Sequence, residues 1–321
     1  MKFISYAQNL EDVMLWRALK NVKNGFYVDI GAWSPDADSV TKAFYERGWH
    51  GINVDPSPHL LAEYADRRPT DLFLNVGVSD STGRLTFNLN KNSGLSTFVG
   101  LEGQSLDEVE QINVELVTLK YILEKYAASS EIHFLKIDVE GFEEKVIRGN
   151  DWNKFRPWIL VIESTVPNST LENAQSWRHI VEDAQYTLVY RDGLNHFYVA
   201  NEHPELLNAF LYPPNVFDDY ITNELLIAKK NAQERLGQVH TLEGLLMTSE
   251  ADRAARLEVI NNLTEQLKIS ELDLAARLEQ VNTLTEQLKA SELDRTARLE
   301  QINVLEKIIH DSNNSASNSG P

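Results

Sequence analysis

The chain has no cysteine among its 321 residues. That excludes disulfides, thiolate metal ligands and a thiol nucleophile, and it fits a reducing compartment, so a cytoplasmic protein is expected. Long apolar runs are missing too. Nothing approaches the ~18 residues of a membrane span, and Met1 to Asn9 has no apolar core of signal-peptide length. Positive charge is in short supply: 30 Lys and Arg stand against 48 Asp and Glu, a formal net charge of −18. A nucleic-acid partner is therefore not expected, because phosphate binding needs a basic surface. From Glu224 onward there are 11 basic and 16 acidic residues, so most of the acidity, a net −13, belongs to the part before it.

What is present is organised around Phe26-Tyr27-Val28-Asp29-Ile30-Gly31-Ala32. An apolar run bounded by a glycine turn reads as a buried parallel strand. Asp29 stands at the carboxyl end of that strand, where an open α/β sheet binds its ligand. Gly31 lets the turn bring backbone N–H groups close to a ligand. The next apolar run, Gly51 to Val54, ends on Asp55, 24 residues after Gly31, near the ~20 expected for an acid that takes ribose hydroxyls. A dinucleotide fold wants G-x-G-x-x-G, and Trp33-Ser34-Pro35-Asp36 supplies neither later glycine. An acid before the first glycine suits a ligand with a cationic end, such as the amino group of S-adenosylmethionine. A dinucleotide, or a plain strand–helix turn, stays open on this stretch alone.

In chain order, residues 9–20 read as a helix. A helix is expected from Asp38-Ser39 to Gly48, and another from Pro56 to about Arg68. Leu72 to Val78 reads as a third strand and Arg84 to Leu89 as a half-exposed one. Lys91 to Gln104 is rich in Gly, Ser and Asn and reads as a loop over the site. Val114 to Val117 reads as a short strand, and Thr118 is placed to cap a helix through Tyr126. Ile132 to Asp138 and Trp158 to Glu163 are the fourth and fifth strands, each ending on an acid. A helix over Glu172–Ala184 and a final antiparallel pair, Tyr186–Tyr190 and Asn195–Val199, complete a doubly wound α/β sheet with an antiparallel edge.

Ser5-Tyr6-Ala7-Gln8-Asn9-Leu10-Glu11-Asp12, Val28-Asp29-Ile30-Gly31-Ala32, Lys136-Ile137-Asp138-Val139-Glu140-Gly141 and Asp192-Gly193-Leu194-Asn195-His196-Phe197-Tyr198-Val199 together resemble the FkbM-type methyltransferases. The resemblance covers roughly residues 3–222. It implies a Rossmann-like class I methyltransferase fold, S-adenosylmethionine as donor, and O-methylation of sugars, glycans or other hydroxylated natural products, as in polysaccharide biosynthesis. Two departures stand out: the loop after Gly31 lacks the further glycine many methyltransferases have, and the ribose acid, more often Glu, is Asp55.

A sugar hydroxyl is a poor nucleophile and needs a base within hydrogen-bond reach. Asp138 and Glu140, at the fourth strand's end, are the candidates, with Asp138 favoured. His196 is a third, set against a structural role, and Glu163 is a further rim carboxylate. The expected donor site comprises Asp29, Gly31, Ala32, Asp55, Asn75 and Asp138. Asn75 and Asp80 are candidates for adenine contact, with a turn hydrogen bond as the alternative for Asn75; Trp33 is to be weighed between core and cofactor loop. Oxygen ligands at one rim can hold a divalent cation, but no ligand spacing in the sequence compels one, and no metal ligand is assigned.

From about Ile227 the composition changes. A 21-residue repeat begins at Ser249, Ser270 and Ser291, with Arg256-Leu257-Glu258, Arg277-Leu278-Glu279 and Arg298-Leu299-Glu300 at one offset. Three heptads per repeat keep a coiled-coil register. Position d is apolar from Val239 to Ile309 except at Arg253 and Arg295; position a alternates Leu with Glu and Thr; Leu242, Leu263, Leu284 and Leu305 fall at g. The expected organisation is residues 1–222 globular, 223–310 a coiled coil that self-associates or binds a partner, and 311–321 a Ser/Asn-rich disordered tail. Against a sugar methyltransferase stand a methyltransferase of a non-sugar small molecule and a catalytically silent scaffold acting through its coiled coil.

Overall fold

The computed structural model describes residues 2–90, 109–167 and 169–317. The chain divides into two units, Met1–Asn231 and Ala232–Pro321. In the first, the elements run β1 (Phe3–Ser5), α1 (Glu11–Leu19), β2 (Phe26–Ile30), α2 (Lys42–Tyr45), β3 (His50–Val54), α3 (Leu60–Arg67), β4 (Leu72–Leu74), β5 (Gly77–Ser79), β6 (Gly83–Asn90), β7 (Val109–Thr118) and α4 (Leu119–Tyr126). Then follow β8 (Phe134–Ile137), α5 (Glu143–Arg148), β9 (Ile159–Glu163), α6 (Arg178–Asp183), β10 (Tyr186–Arg191), β11 (Asn195–Ala200), β12 (Tyr220–Thr222) and α7 (Asn223–Ser317).

Seven strands form the main sheet in the order β10-β11-β9-β8-β2-β3-β4. β4, β3, β2, β8 and β9 are parallel, and β11 is antiparallel to both its neighbours. The chain leaves β2 toward β3 and β4 on one side and returns to β8 and β9 on the other. The carboxyl ends of β2 and β8 are therefore the switch point, where such sheets bind ligands.

Both faces of the sheet are covered, which is why its central strands are mostly apolar rather than alternating, with Asp29, Asn53 and Lys136 among the polar exceptions. Val28, Ile30, Leu135, Leu160 and Ile162 pack against residues of α4, α5 and α6 such as Leu123, Val146 and Val181. Tyr27, Phe134, Ile159 and Val161 pack against Met14, Leu15 and Leu19 of α1 and Phe44 of α2. Thr118 caps α4 as expected: its hydroxyl accepts the Tyr121 N–H at 3.1 Å.

Several boundaries differ from the sequence reading. The run Leu72–Val78 is two strands, not one: β4 joins the main sheet and β5 joins β7 and β6 in a separate three-stranded sheet. The break falls at Asn75, whose amide donates to the Asp55 carbonyl at 3.0 Å. The expected helix 38–48 shrinks to α2, since Arg68 draws the Ser39 and Thr41 hydroxyls into side-chain bonds. The helix expected over 172–184 is a 3₁₀ turn, Ala174–Ser176, and then α6. β7 runs ten residues, well beyond the expected four. The loop expected over 91–104 lies outside the described residues. β1 pairs in parallel with β12, tying the first strand to the segment just before α7.

In the second unit α7 continues as one uninterrupted helix. Its 95 residues span ~140 Å at 1.5 Å per residue. It runs to Ser317, into the stretch expected as a disordered tail. Its leucines are exposed, Leu257 at 58% and Leu278 at 61% among them. No helix among the described residues is long and apolar enough to cross a membrane.

Candidate active site

Gly31 closes β2 with φ +82°, and a Cβ there would fall 1.6 Å from the Asp138 carbonyl oxygen. Only glycine permits both the backbone angle and this approach. The consequence is that the ends of β2 and β8 meet without a gap. The N–H groups of Gly31 and Ala32 both donate to the Val54 carbonyl, at 2.9 and 3.1 Å. These bonds hold the turn after β2 against β3.

Asp29 lies opposite Lys136 in the β2–β8 register. Residues in register on parallel strands share a face, so the two side chains meet inside the sheet. Lys136 Nζ lies 3.5 Å from Asp29 Oδ1 and 3.0 Å from Asp138 Oδ2, and it donates to the Gly31 carbonyl at 3.3 Å. Burial alone would lower this lysine's pKa; the Asp138 and Asp29 carboxylates outweigh it and hold the ammonium above its ordinary value. Asp29 is 1% exposed. Burial pushes its pKa up against the pull of Lys136 and Arg68. Within the protein the cation beside Asp29 is Lys136. Nothing but Lys136's odd place in an apolar strand hinted at this in the sequence.

Asp55, at the end of β3, accepts the Trp33 N–H on Oδ2 at 3.1 Å and the Ser57 N–H on Oδ1 at 2.8 Å. These bonds fix the loop after Gly31 on one side and the start of α3 on the other. A carboxylate has about four lone-pair sites, so acceptor capacity remains. Trp33 takes φ +40° and packs with Ala32, Leu60 and Tyr64. Beneath the loop, buried Arg68 donates to the Pro35 carbonyl and to the Ser39 and Thr41 hydroxyls. Asp71 joins this network through Tyr27, Asn53 and the Gly51 N–H.

Asp138, Glu140 and Glu163 converge where β8 and β9 end, with one oxygen from each lying within 4.8 Å of the others. Glu140 has φ +53° and Gly141 φ +94°. The turn holds this shape because Glu143 Oε1 accepts the Gly141 N–H at 2.9 Å and the Val139 N–H at 3.3 Å. A non-glycine residue in the left-handed region costs energy and is kept where the surroundings over-determine it. Burial, then the neighbouring Asp138 and Glu143, raises the Glu140 carboxyl to about 8. Burial and the charges of Asp138 and Glu140 push Glu163 up as well, and its Oε2 is buried without a hydrogen bond. Three acids this close cannot all ionise. The arrangement sets Asp138 beside Lys136 and next to it Glu140 and Glu163, both of whose carboxyls burial and the neighbouring acids push up.

His196 belongs to another environment. Its Nε2 lies 3.1 Å from Glu172 Oε1 and its Nδ1 3.4 Å from the Tyr198 hydroxyl; its ring meets Trp177 edge-on. Burial lowers its pKa. Asp80 bonds the Ser79 and Ser81 hydroxyls and lies 3.6 Å from Lys145. The motif around Glu11 and Asp12 forms a hook. Asp12 accepts the Ser5 hydroxyl and the Tyr6 N–H. Glu11 accepts the Asn9 N–H and the Asn195 amide, each at 2.9 Å, and burial lifts it to about 7. Asn195 pairs with Glu163 across β11 and β9, so the hook reaches the strand that carries the rim carboxyl.

Comparison with known proteins adds three findings. Residues 29–188 match the model of the methyltransferase FkbM domain. No curated protein matches the chain. Among solved structures, a TehB-like SAM-dependent methyltransferase from Corynebacterium glutamicum is similar at 8% identity and a TM-score of 0.33, over 59% of this chain and 87% of that one.

Proposed function

The chain belongs to the FkbM methyltransferase family, and from that premise we propose that it methylates a hydroxyl oxygen of a sugar or glycan. As an S-adenosylmethionine-dependent methyltransferase of that family it needs two things at the switch point, a donor seat and a way to take the acceptor's proton. The observation that carries the reading is the rim cluster: Glu140, with its carboxyl at about 8, beside Asp138 paired to Lys136.

S-adenosylmethionine, when bound, would supply a methyl group already activated on a sulfonium, so what is left to the protein is to align donor and acceptor and to take the acceptor's proton. Asp55 is suited to the ribose hydroxyls through its remaining lone pairs, while its bonds to Trp33 and Ser57 hold the loop in place. Gly31 and Ala32 shape the wall between donor and sheet. Asp29 and Asp138 keep Lys136 charged, and Lys136 in turn orients Asp138 from 3.0 Å away. A base works best with a pKa near the operating pH. Glu140, at about 8, meets that condition, while Asp138 is engaged by Lys136 at 3.0 Å. We therefore assign the proton-accepting role to Glu140, the acceptor-orienting role to Asp138 and Glu163, and a structural role to His196 and Asn75.

A divalent cation is the second reading, favoured by three carboxyl oxygens within 4.8 Å. Lys136 already places one positive charge 3.0 Å from Asp138, which reduces what a cation would add. Transfer of labelled methyl from S-adenosylmethionine to a panel of sugars and glycans, with and without a chelator, tests both. O-methylated sugar formed in chelator supports the first reading. Product lost in chelator and restored by Mg²⁺ supports the second. Methyl transfer to nitrogen or carbon, or only to non-sugar acceptors, contradicts the acceptor assignment.

A further inference from the structure

The helix α7 leaves a long apolar row exposed: Val239, Ile260, Leu267, Val281 and Leu288 are each between 48% and 62% exposed. A lone helix in water has no reason to keep such a row through three repeats. We propose that α7 pairs with the α7 of a second copy of this chain, antiparallel, in the register that sets Arg253 opposite Glu292.

The charges carry the argument. In an antiparallel pair each a position packs against a d position of the partner; in a parallel pair a meets a and d meets d. The d row has two charged members, Arg253 and Arg295. A parallel pair in register stacks each on its own copy. It also stacks the a-row acids Glu243, Glu250, Glu271, Glu292 and Glu306 on theirs. Like charges face each other in seven layers. Staggered parallel pairs avoid some of this but are head-to-tail contacts that do not close.

The antiparallel register resolves it. Setting Arg253 opposite Glu292 makes the two-fold axis cross between Leu272 and Asp273, and the same axis sets Arg295 opposite Glu250. Both interior arginines thus gain an acid. Leu257 meets Leu288, Leu278 meets Leu267 and Leu299 meets Leu246, while the remaining acids Glu243, Glu271 and Glu306 face Ile302, Leu274 and Val239 instead of one another. The g positions of antiparallel helices lie on one side, so Leu263 comes beside Leu284 of the partner. That gives a partner to a leucine that a parallel pair sets toward Lys268. Sliding by one repeat in either direction keeps only one of the two Arg–Glu layers. The register overlaps the helices from Ala228 to Ser317, nearly all of α7.

Because the chain has no cysteine, single cysteines report the pairing directly. Mixed and oxidised, Arg253→Cys and Glu292→Cys chains form a mixed disulfide dimer in the proposed register. Arg253→Cys alone does not cross-link, because its two copies stand 39 residues apart in height, ~58 Å. A spin label at Ala255→Cys, on the outer face and outside the core, keeps the test independent of any disruption by the core variants; an axial separation of ~52 Å is expected. Self-cross-linking of Arg253→Cys, a label separation of only ~20 Å with its copy at the same height, or a full-length chain that sediments as a monomer at micromolar concentration overturns the proposal.

Discussion

Lys136 Nζ sits 3.0 Å from Asp138 Oδ2 and, on its other side, 3.5 Å from Asp29 Oδ1. One buried ammonium therefore bridges the acid at the end of β2 and the acid at the end of β8. Replacing it by methionine keeps the volume and leaves Asp29 with an uncompensated charge. Lys136→Met should cost about 3–5 kcal/mol at neutral pH, measured by urea unfolding. Adding Asp29→Asn removes the stranded charge, and the double variant should be more stable than Lys136→Met alone. The lysine's pKa is raised on folding, so its contribution is present in full at neutral pH and fades only when pH rises past its ordinary value toward the raised one.

Gly31→Ala should be worse than a loop alanine usually is. Its φ of +82° and a Cβ position 1.6 Å from the Asp138 carbonyl force the ends of β2 and β8 apart. A loss on the order of 3 kcal/mol or more is expected in the same unfolding measurement. An alanine at Gly83, where a Cβ meets nothing within 4 Å, is the control and should be near neutral.

Glu140 gives the pH prediction. Its carboxyl moves from an ordinary 4.5 to about 8 on folding. The native state thus binds more protons than the unfolded chain between those values, and its stability falls as pH rises through that window. Glu140→Gln should flatten this slope in unfolding curves taken from pH 5 to 8. The same group, if it accepts the proton, makes kcat/KM climb with pH toward about 8, and in Glu140→Gln the rate should drop by roughly 10²-fold or more with the pH-dependence gone. A variant that keeps the wild-type profile removes Glu140 from the chemistry.

Arg68 links the cofactor loop to the sheet. Lysine cannot reproduce a guanidinium that donates to Pro35, Ser39 and Thr41 at once. Arg68→Lys should cost about 2–4 kcal/mol and weaken donor binding more than it changes kcat, which a comparison of KM and kcat for S-adenosylmethionine resolves.

The elements that position the site were legible where apolar runs end on acids: β2, β3, β8 and β9 all lie where those runs predict, because buried parallel strands need unbroken apolar sequence. Leu72–Val78 misled, since an apolar run does not say where a strand leaves one sheet for another; the break falls at Asn75, which the sequence offered for adenine contact or a turn hydrogen bond and not as a strand end. The carboxylates Asp138, Glu140 and Glu163 were legible one by one, but their convergence was not, because it depends on β8 and β9 being neighbours. Lys136 stands in sequence as one polar residue in an apolar strand. Its meaning rests on register with Asp29, more than 100 residues away in the chain, and no local pattern reports that. His196, a candidate for its residue type, meets Trp177 edge-on and lies 3.4 Å from the Tyr198 hydroxyl.

The most direct test of the account is the thermal stability of the full-length chain with S-adenosylhomocysteine, with NAD as control, in wild type and Asp55→Ala. At about 100 times its dissociation constant a ligand adds about 2.7 kcal/mol. The account predicts a clear rise in Tm with S-adenosylhomocysteine, none with NAD, and loss of the rise in Asp55→Ala. No rise in wild type, or an equal rise in the variant, would contradict a donor site at the ends of β2 and β3.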